Sequence, residues 1–100
     1  MTENVSKIYE SIIILNTKLG EEGIPAAVEK FKSLIESNGT LEKVDEWGKR
    51  RLAYEINDET EGFYVMYTFA TSDINFIPEL ERVYKITDGI LRTLTVVKQL

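Results

Sequence analysis

Gly48-Lys49-Arg50-Arg51-Leu52-Ala53-Tyr54-Glu55-Ile56-Asn57 and the aromatic run Gly62-Phe63-Tyr64-Val65-Met66-Tyr67-Thr68-Phe69-Ala70 are the stretches on which the fold turns. Both alternate with the two-residue period of a strand, and Asn57-Asp58-Glu59-Thr60-Glu61-Gly62 between them has the composition of a turn. The pair reads as a β-hairpin. Its first strand runs from Thr40 to Ile56, with Gly48 marking a bulge or bend. In its second strand Phe63, Val65, Tyr67 and Phe69 share one face, and Tyr64, Met66, Thr68 and Ala70 the other.

Outward from the hairpin, two amphipathic helices are expected. Ile24, Ala27, Val28, Phe31, Leu34 and Ile35 recur three and four apart, with Glu29, Lys30, Lys32 and Glu36 between them. This helix starts between Glu21 and Pro25, and Asn38-Gly39 supplies a left-handed position to close it. Thr71-Ser72-Asp73 caps a second helix from about Ile74 to Lys85, with Ile74, Ile77, Leu80 and Tyr84 as its stripe. Ile8 to Leu15 and Ile90 to Val97 are rich in β-branched residues and read as strands, with Asn16 to Gly20 as a loop and Asp88-Gly89 as a turn.

The order is βαββαβ. Right-handed crossovers fold it into an α+β, ferredoxin-like arrangement: a four-stranded antiparallel sheet with both helices on one face, as a single domain over residues 1–100. The other sheet face is open, and the cation-bearing second strand is an edge.

Composition narrows the function. The 100 residues hold 43% hydrophobic and 29% charged side chains, as an ordinary globular domain does. With neither Cys nor His, thiol and Ser-His nucleophilic chemistry and the usual zinc and copper ligands are excluded. The carboxylates are scattered over turns and helix surface, so no enzyme, cofactor or metal site is expected. The N-terminus has no secretory apolar core, and a cytoplasmic location is the expectation.

The net charge of −5, from 12 basic and 17 acidic residues, opposes a self-sufficient nucleic-acid binder, because phosphate neutralisation supplies most of such affinity. Yet Lys49-Arg50-Arg51 beside Trp47, followed by Leu52 and Tyr54, has the residue types of a contact surface. The bland reading is edge protection by charge. Lys7, Tyr9, Arg92 and Lys98 lie on or beside the first and last strands, which this topology makes neighbours, so the four are expected to share one region of the open side. The order of elements matches an RNA-recognition motif, but Glu61-Gly62-Phe63-Tyr64-Val65-Met66 lacks its basic first residue and its alternating aromatics. Tyr64 and Met66, opposite the core face, are candidates for a partner patch.

The chain resembles the bacterial small-subunit ribosomal protein S-six family. The resemblance is carried by Tyr9-Glu10 with Ile14-Leu15-Asn16, by Val28-Glu29-Lys30-Phe31-Lys32, and by Trp47-Gly48-Lys49-Arg50-Arg51-Leu52-Ala53-Tyr54 with Ile56. Glu61-Gly62-Phe63-Tyr64-Val65, Glu79-Leu80-Glu81-Arg82 and Leu91-Arg92 complete it. It implies a structural protein of the ribosome that binds the central domain of small-subunit ribosomal RNA as a heterodimer with the basic ribosomal protein S-eighteen. It further implies RNA contacts at Lys7, Tyr9, Arg92 and Lys98, and partner contacts at Lys49, Arg50, Leu52 and Tyr54. Glu55 departs from the family pattern, which has proline there. The alternatives are a ligand-sensing regulatory module of the same fold and an acylphosphatase-like enzyme. Against the enzyme, the loop Asn16-Thr17-Lys18-Leu19-Gly20 contains no arginine.

Overall fold

The computed structural model describes residues 6–56 and 58–98. Strand β1 spans Lys7–Asn16, helix α1 Gly20–Asn38, β2 Thr40–Ile56, β3 Glu59–Thr71, helix α2 Phe76–Ile86 and β4 Ile90–Val97. The strands form one antiparallel sheet in the order β2-β3-β1-β4, so β2 and β4 are its edges. This is the expected βαββαβ arrangement.

Strand periodicity sorts the sheet into two unlike faces. Ile13, Leu15, Val65, Tyr67 and Phe69 are fully buried on one face, against Val28, Phe31 and Ile35 of α1 and Phe76, Leu80 and Tyr84 of α2. Hydroxyl groups pin the helices to that face. The Tyr67 hydroxyl donates to the Val28 carbonyl at 2.8 Å. The Ser11 hydroxyl lies 2.9 Å from both the Tyr84 hydroxyl and Thr95 Oγ1, while Thr93 and Thr95 donate to the Glu81 carboxylate. Among the described residues no buried side-chain polar atom lacks a partner.

Local chemistry moves several boundaries. Asn16 to Leu19 is not an irregular loop, because Thr17–Leu19 forms a 3-10 turn whose Lys18 N–H donates to the Asn16 side chain. That turn runs straight into α1, which therefore begins at Gly20 and takes Pro25 inside it. Gly39 is not left-handed, having φ −174°. Glycine stands there because a Cβ would lie 2.5 Å from the Ala70 carbonyl oxygen.

The second helix begins at Phe76, two residues beyond Ile74. Thr71 accepts from the Asp73 N–H and Asp73 accepts from the Asn75 N–H, which occupies the expected caps in a preceding turn. Ile74 is left exposed, and Phe76 takes its place in the core. The hairpin turn is also shorter than its composition suggests, since Glu59 already pairs with Ile56 and Glu59 to Gly62 belong to β3. Asp58 takes the left-handed φ of 66°, and Asn57 lies outside the described residues.

Two glycines shape β2 and its neighbour. Gly48, at φ 85°, sits at a register shift opposite Tyr64, so the expected bulge is present. Gly62 of β3 forms a floor, since a Cβ there would meet Ile14 Cγ2 at 2.3 Å and Leu52 Cδ2 at 3.5 Å.

Two outcomes follow. Gly62→Ala is expected to cost about 1–3 kcal/mol in chemical denaturation, with a smaller cost in an Ile14→Ala background where the colliding methyl is gone. Burial raises both the Tyr67 and Tyr84 phenols well above their ordinary value near 10. Stability is therefore full below that value and falls as pH rises through and above it, because the unfolded chain ionises first. Each tyrosine adds up to about 1.4 kcal/mol per pH unit to that fall, so Tyr84→Phe should flatten the alkaline limb of unfolding free energy against pH by about that slope.

Candidate RNA and partner interface

The face of the sheet away from the helices carries the candidate partner residues. In register, Ile14 stands beside Tyr64 of β3 and Arg92 of β4, and Ile12 beside Met66 and Leu94. Ile14 is buried at 8% exposure although no helix covers this face. The cover comes from β2. Between the pairs Arg51–Glu61 and Ile56–Glu59, four residues of β2, Leu52 to Glu55, stand against the single Thr60. The surplus chain puts Leu52 over Gly62, where it is 7% exposed, and Tyr54 beyond it.

The Tyr54 hydroxyl then accepts a hydrogen bond from Arg92 Nη1 at 3.3 Å. Adjacent strands lie about 4.8 Å apart, so β2 and β4 are about 14 Å apart by backbone, and only the bulge and two long side chains close that span. A pocket of about 100 Å³ lies beneath, among Ile14, Leu52, Tyr54, Ile56, Tyr64 and Arg92. Beside it Trp47 stacks on Tyr64 with centroids 6.2 Å apart and planes at 17°, and the Arg50 guanidinium lies 5.5 Å from the Trp47 ring. Arginine held on an aromatic face keeps its charge and loses rotamer freedom, which prepares it for a docking partner. Tyr54 is 67% exposed, a tyrosine ring offered to solvent.

The expected partner set divides. Arg50, Leu52 and Tyr54 belong to the open face, with Trp47, Tyr64 and Met66 beside them. Lys49 pairs with Phe63 and turns to the helix side, into a groove of about 380 Å³ with Thr17, Glu21, Ile24 and Glu46. Alternation makes this unavoidable for consecutive residues of a strand.

The expected RNA set divides too, correcting the single shared region. Lys7 pairs with Thr71, Tyr9 with Val97, and the Lys98 N–H donates to the Ile8 carbonyl at 2.7 Å, so these three gather at one end of the central strands. Tyr9 faces the helices, its ring stacked on Phe69 at 5.6 Å. Arg92 pairs with Ile14, five residues further along β1 and on the face opposite to that of Lys7 and Tyr9; Lys98, by its place opposite Ile8, shares the face of Arg92. Five residues of strand are about 17 Å. The topology did make β1 and β4 neighbours; register and face parity separate the side chains.

Sequence reasoning missed Ile14 and Gly62, the floor beneath Leu52. The close Gly62–Ile14 approach leaves no signature in periodicity, though a glycine at a strand's buried position signals close approach. Among the described residues no group of three or more acidic side chains gathers as metal ligands would, and no helix is long and apolar enough to cross a membrane.

The family model described as ribosomal protein S6 matches residues 8–97. The small ribosomal subunit protein bS6 of Clostridium botulinum strain 657 is 48% identical over 92 residues, covering 91% of this chain and 97% of that protein. The protein of the same name from Clostridium beijerinckii is 49% identical over 92 residues, at 91% and 96% coverage. The crystal structure of 30S ribosomal protein S6 from Thermotoga maritima matches with a TM-score of 0.89 at 35% identity, over 94% of this chain and 89% of that one.

Proposed function

Because this chain belongs to the ribosomal protein S6 family, we propose that it binds the central domain of small-subunit ribosomal RNA as one domain, jointly with the basic ribosomal protein S-eighteen. Membership makes it a structural protein of the small ribosomal subunit and not a catalyst. The observation that carries the finer reading is the division of its surface. An acidic chain of net charge −5 concentrates Trp47, Tyr64, Arg50 and Tyr54 on one open face, while Lys7, Tyr9 and Lys98 gather at the far end of the strands.

An acidic subunit gains little affinity for a polyanion from its overall field. A cationic companion supplies most of the phosphate neutralisation, and this chain supplies shape and a few placed cations. Arg50, Leu52 and Tyr54 meet the companion on the open face, and Lys49 meets it across the edge of β2. Lys7, Tyr9 and Lys98 meet RNA at one end of the strands, and Arg92 meets it about 17 Å away, a footprint of two separated backbone contacts.

A tagged copy expressed in growing cells is expected to sediment with small subunits and to crosslink to a small basic protein; recovery only at the top of the gradient would refute the reading. Arg92→Ala should lower the salt slope of RNA binding by the companion complex by about one. Tyr54→Ala should weaken the protein–protein complex by about 1–2 kcal/mol without changing that slope.

A further inference from the structure

The two edges of the sheet are protected very differently. β2 carries Lys43, Lys49, Arg50 and Arg51 and breaks register with β3 in three places. β4 carries a single charge, Arg92, has neither Pro nor Gly, and pairs with β1 without interruption from Arg92 to Val97. Straight, uncharged edges are templates for another strand, and natural sheets usually blunt them.

The ladder fixes which backbone groups β4 offers. The Lys98 N–H donates to the Ile8 carbonyl, so in alternation Val96, Leu94 and Arg92 turn their backbone groups toward β1. Thr93, Thr95 and Val97 turn theirs outward, and among the described residues no other element hydrogen-bonds to them.

We propose that this edge binds an extended segment of a partner protein in which basic and apolar residues alternate. Residues opposite one another across a strand pair share a face. Those opposite Leu94 and Val96, which are 57% and 42% exposed, would extend the apolar surface of the open face. Those opposite Thr93 and Thr95 would lie on the helix side beside Glu81. Its carboxylate accepts from both threonines, at 2.9 and 2.6 Å, and forms no ion pair among the described residues. A lysine or arginine on the incoming strand supplies the missing countercharge. A second copy of this chain fits poorly: a β4–β4 pairing brings two Glu81 carboxylates together between molecules of net charge −5. The edge requires no RNA and lies across the sheet from the β2 hairpin, so the proposal goes beyond the ribosomal RNA reading.

The test titrates the full chain with an acetylated six-residue peptide of alternating lysine and valine, following amide exchange and chemical shifts. Exchange at Thr93, Thr95 and Val97 is expected to slow at least tenfold near saturation, with binding that weakens as salt rises. Glu81→Gln should reduce affinity about tenfold, and a glutamate–valine peptide should not bind. Four outcomes overturn the proposal: no protection at millimolar peptide, protection on β2 instead, equal binding of the glutamate peptide, or protection from self-association without peptide. None of these measurements contains RNA or a ribosomal companion, so the ribosomal RNA reading stands or falls separately.

Discussion

One-sided burial of the sheet is the constraint from which the remaining structure follows. Ile13, Leu15, Val65, Tyr67 and Phe69 must leave water, and both helices lie on the side to which those residues point. A strand turns consecutive side chains to opposite faces. Burying the odd-numbered residues of β1 therefore sends Ile12, Ile14, Tyr64, Met66, Arg92 and Leu94 to the other side. The helix-free face is not a surface added to the fold; it is the remainder of the core's own periodicity.

That remainder would be a large exposed apolar patch, which monomeric proteins avoid unless it binds something. The chain covers part of it from within. The surplus residues of β2 bring Leu52 onto Ile14 and Gly62, and the Tyr54–Arg92 hydrogen bond closes over them. What stays exposed is enriched in the residue types that dominate binding energy, with arginine held on tryptophan and tryptophan on tyrosine. The hydroxyl contacts on the buried side have the complementary effect. Tyr67, Tyr84, Ser11 and Thr95 satisfy one another and the helix backbone, so the helices hold one orientation over the sheet.

Charge is distributed on the same logic. The acids of α1 lie on its solvent side, and Glu21 and Glu22 also favour its N-terminus. The cations Lys49, Arg50 and Arg51 stand together on a β2 edge that also carries four acids, and Lys7 and Lys98 stand at one end of β1 and β4. With a net charge of −5 such a protein gains little attraction for a polyanion from its overall field, yet it presents a few cations at fixed positions. That suits a member of a ribonucleoprotein assembly, where neighbours share the neutralisation.

The sequence by itself determined the order of elements, both helical stripes and the core face of β3, because burial imposes a period that side-chain chemistry displays directly. It also carried the family, through the run from Trp47 to Tyr54. Element ends were less legible. The start of α1 and the exchange of Ile74 for Phe76 depend on hydrogen bonds between residues two apart, in turns that hydrophobic periodicity does not display, and Gly39 on a close approach to the distant Ala70. The grouping of the candidate site residues belonged to tertiary structure alone. Alternation opposes the adjacent Lys49 and Arg50 in any strand, but only the fold brings Tyr54 and Arg92, 38 residues apart, into contact. Register, face parity and one wide bulge decide such distances, and these are properties of how strands align rather than of any residue within them.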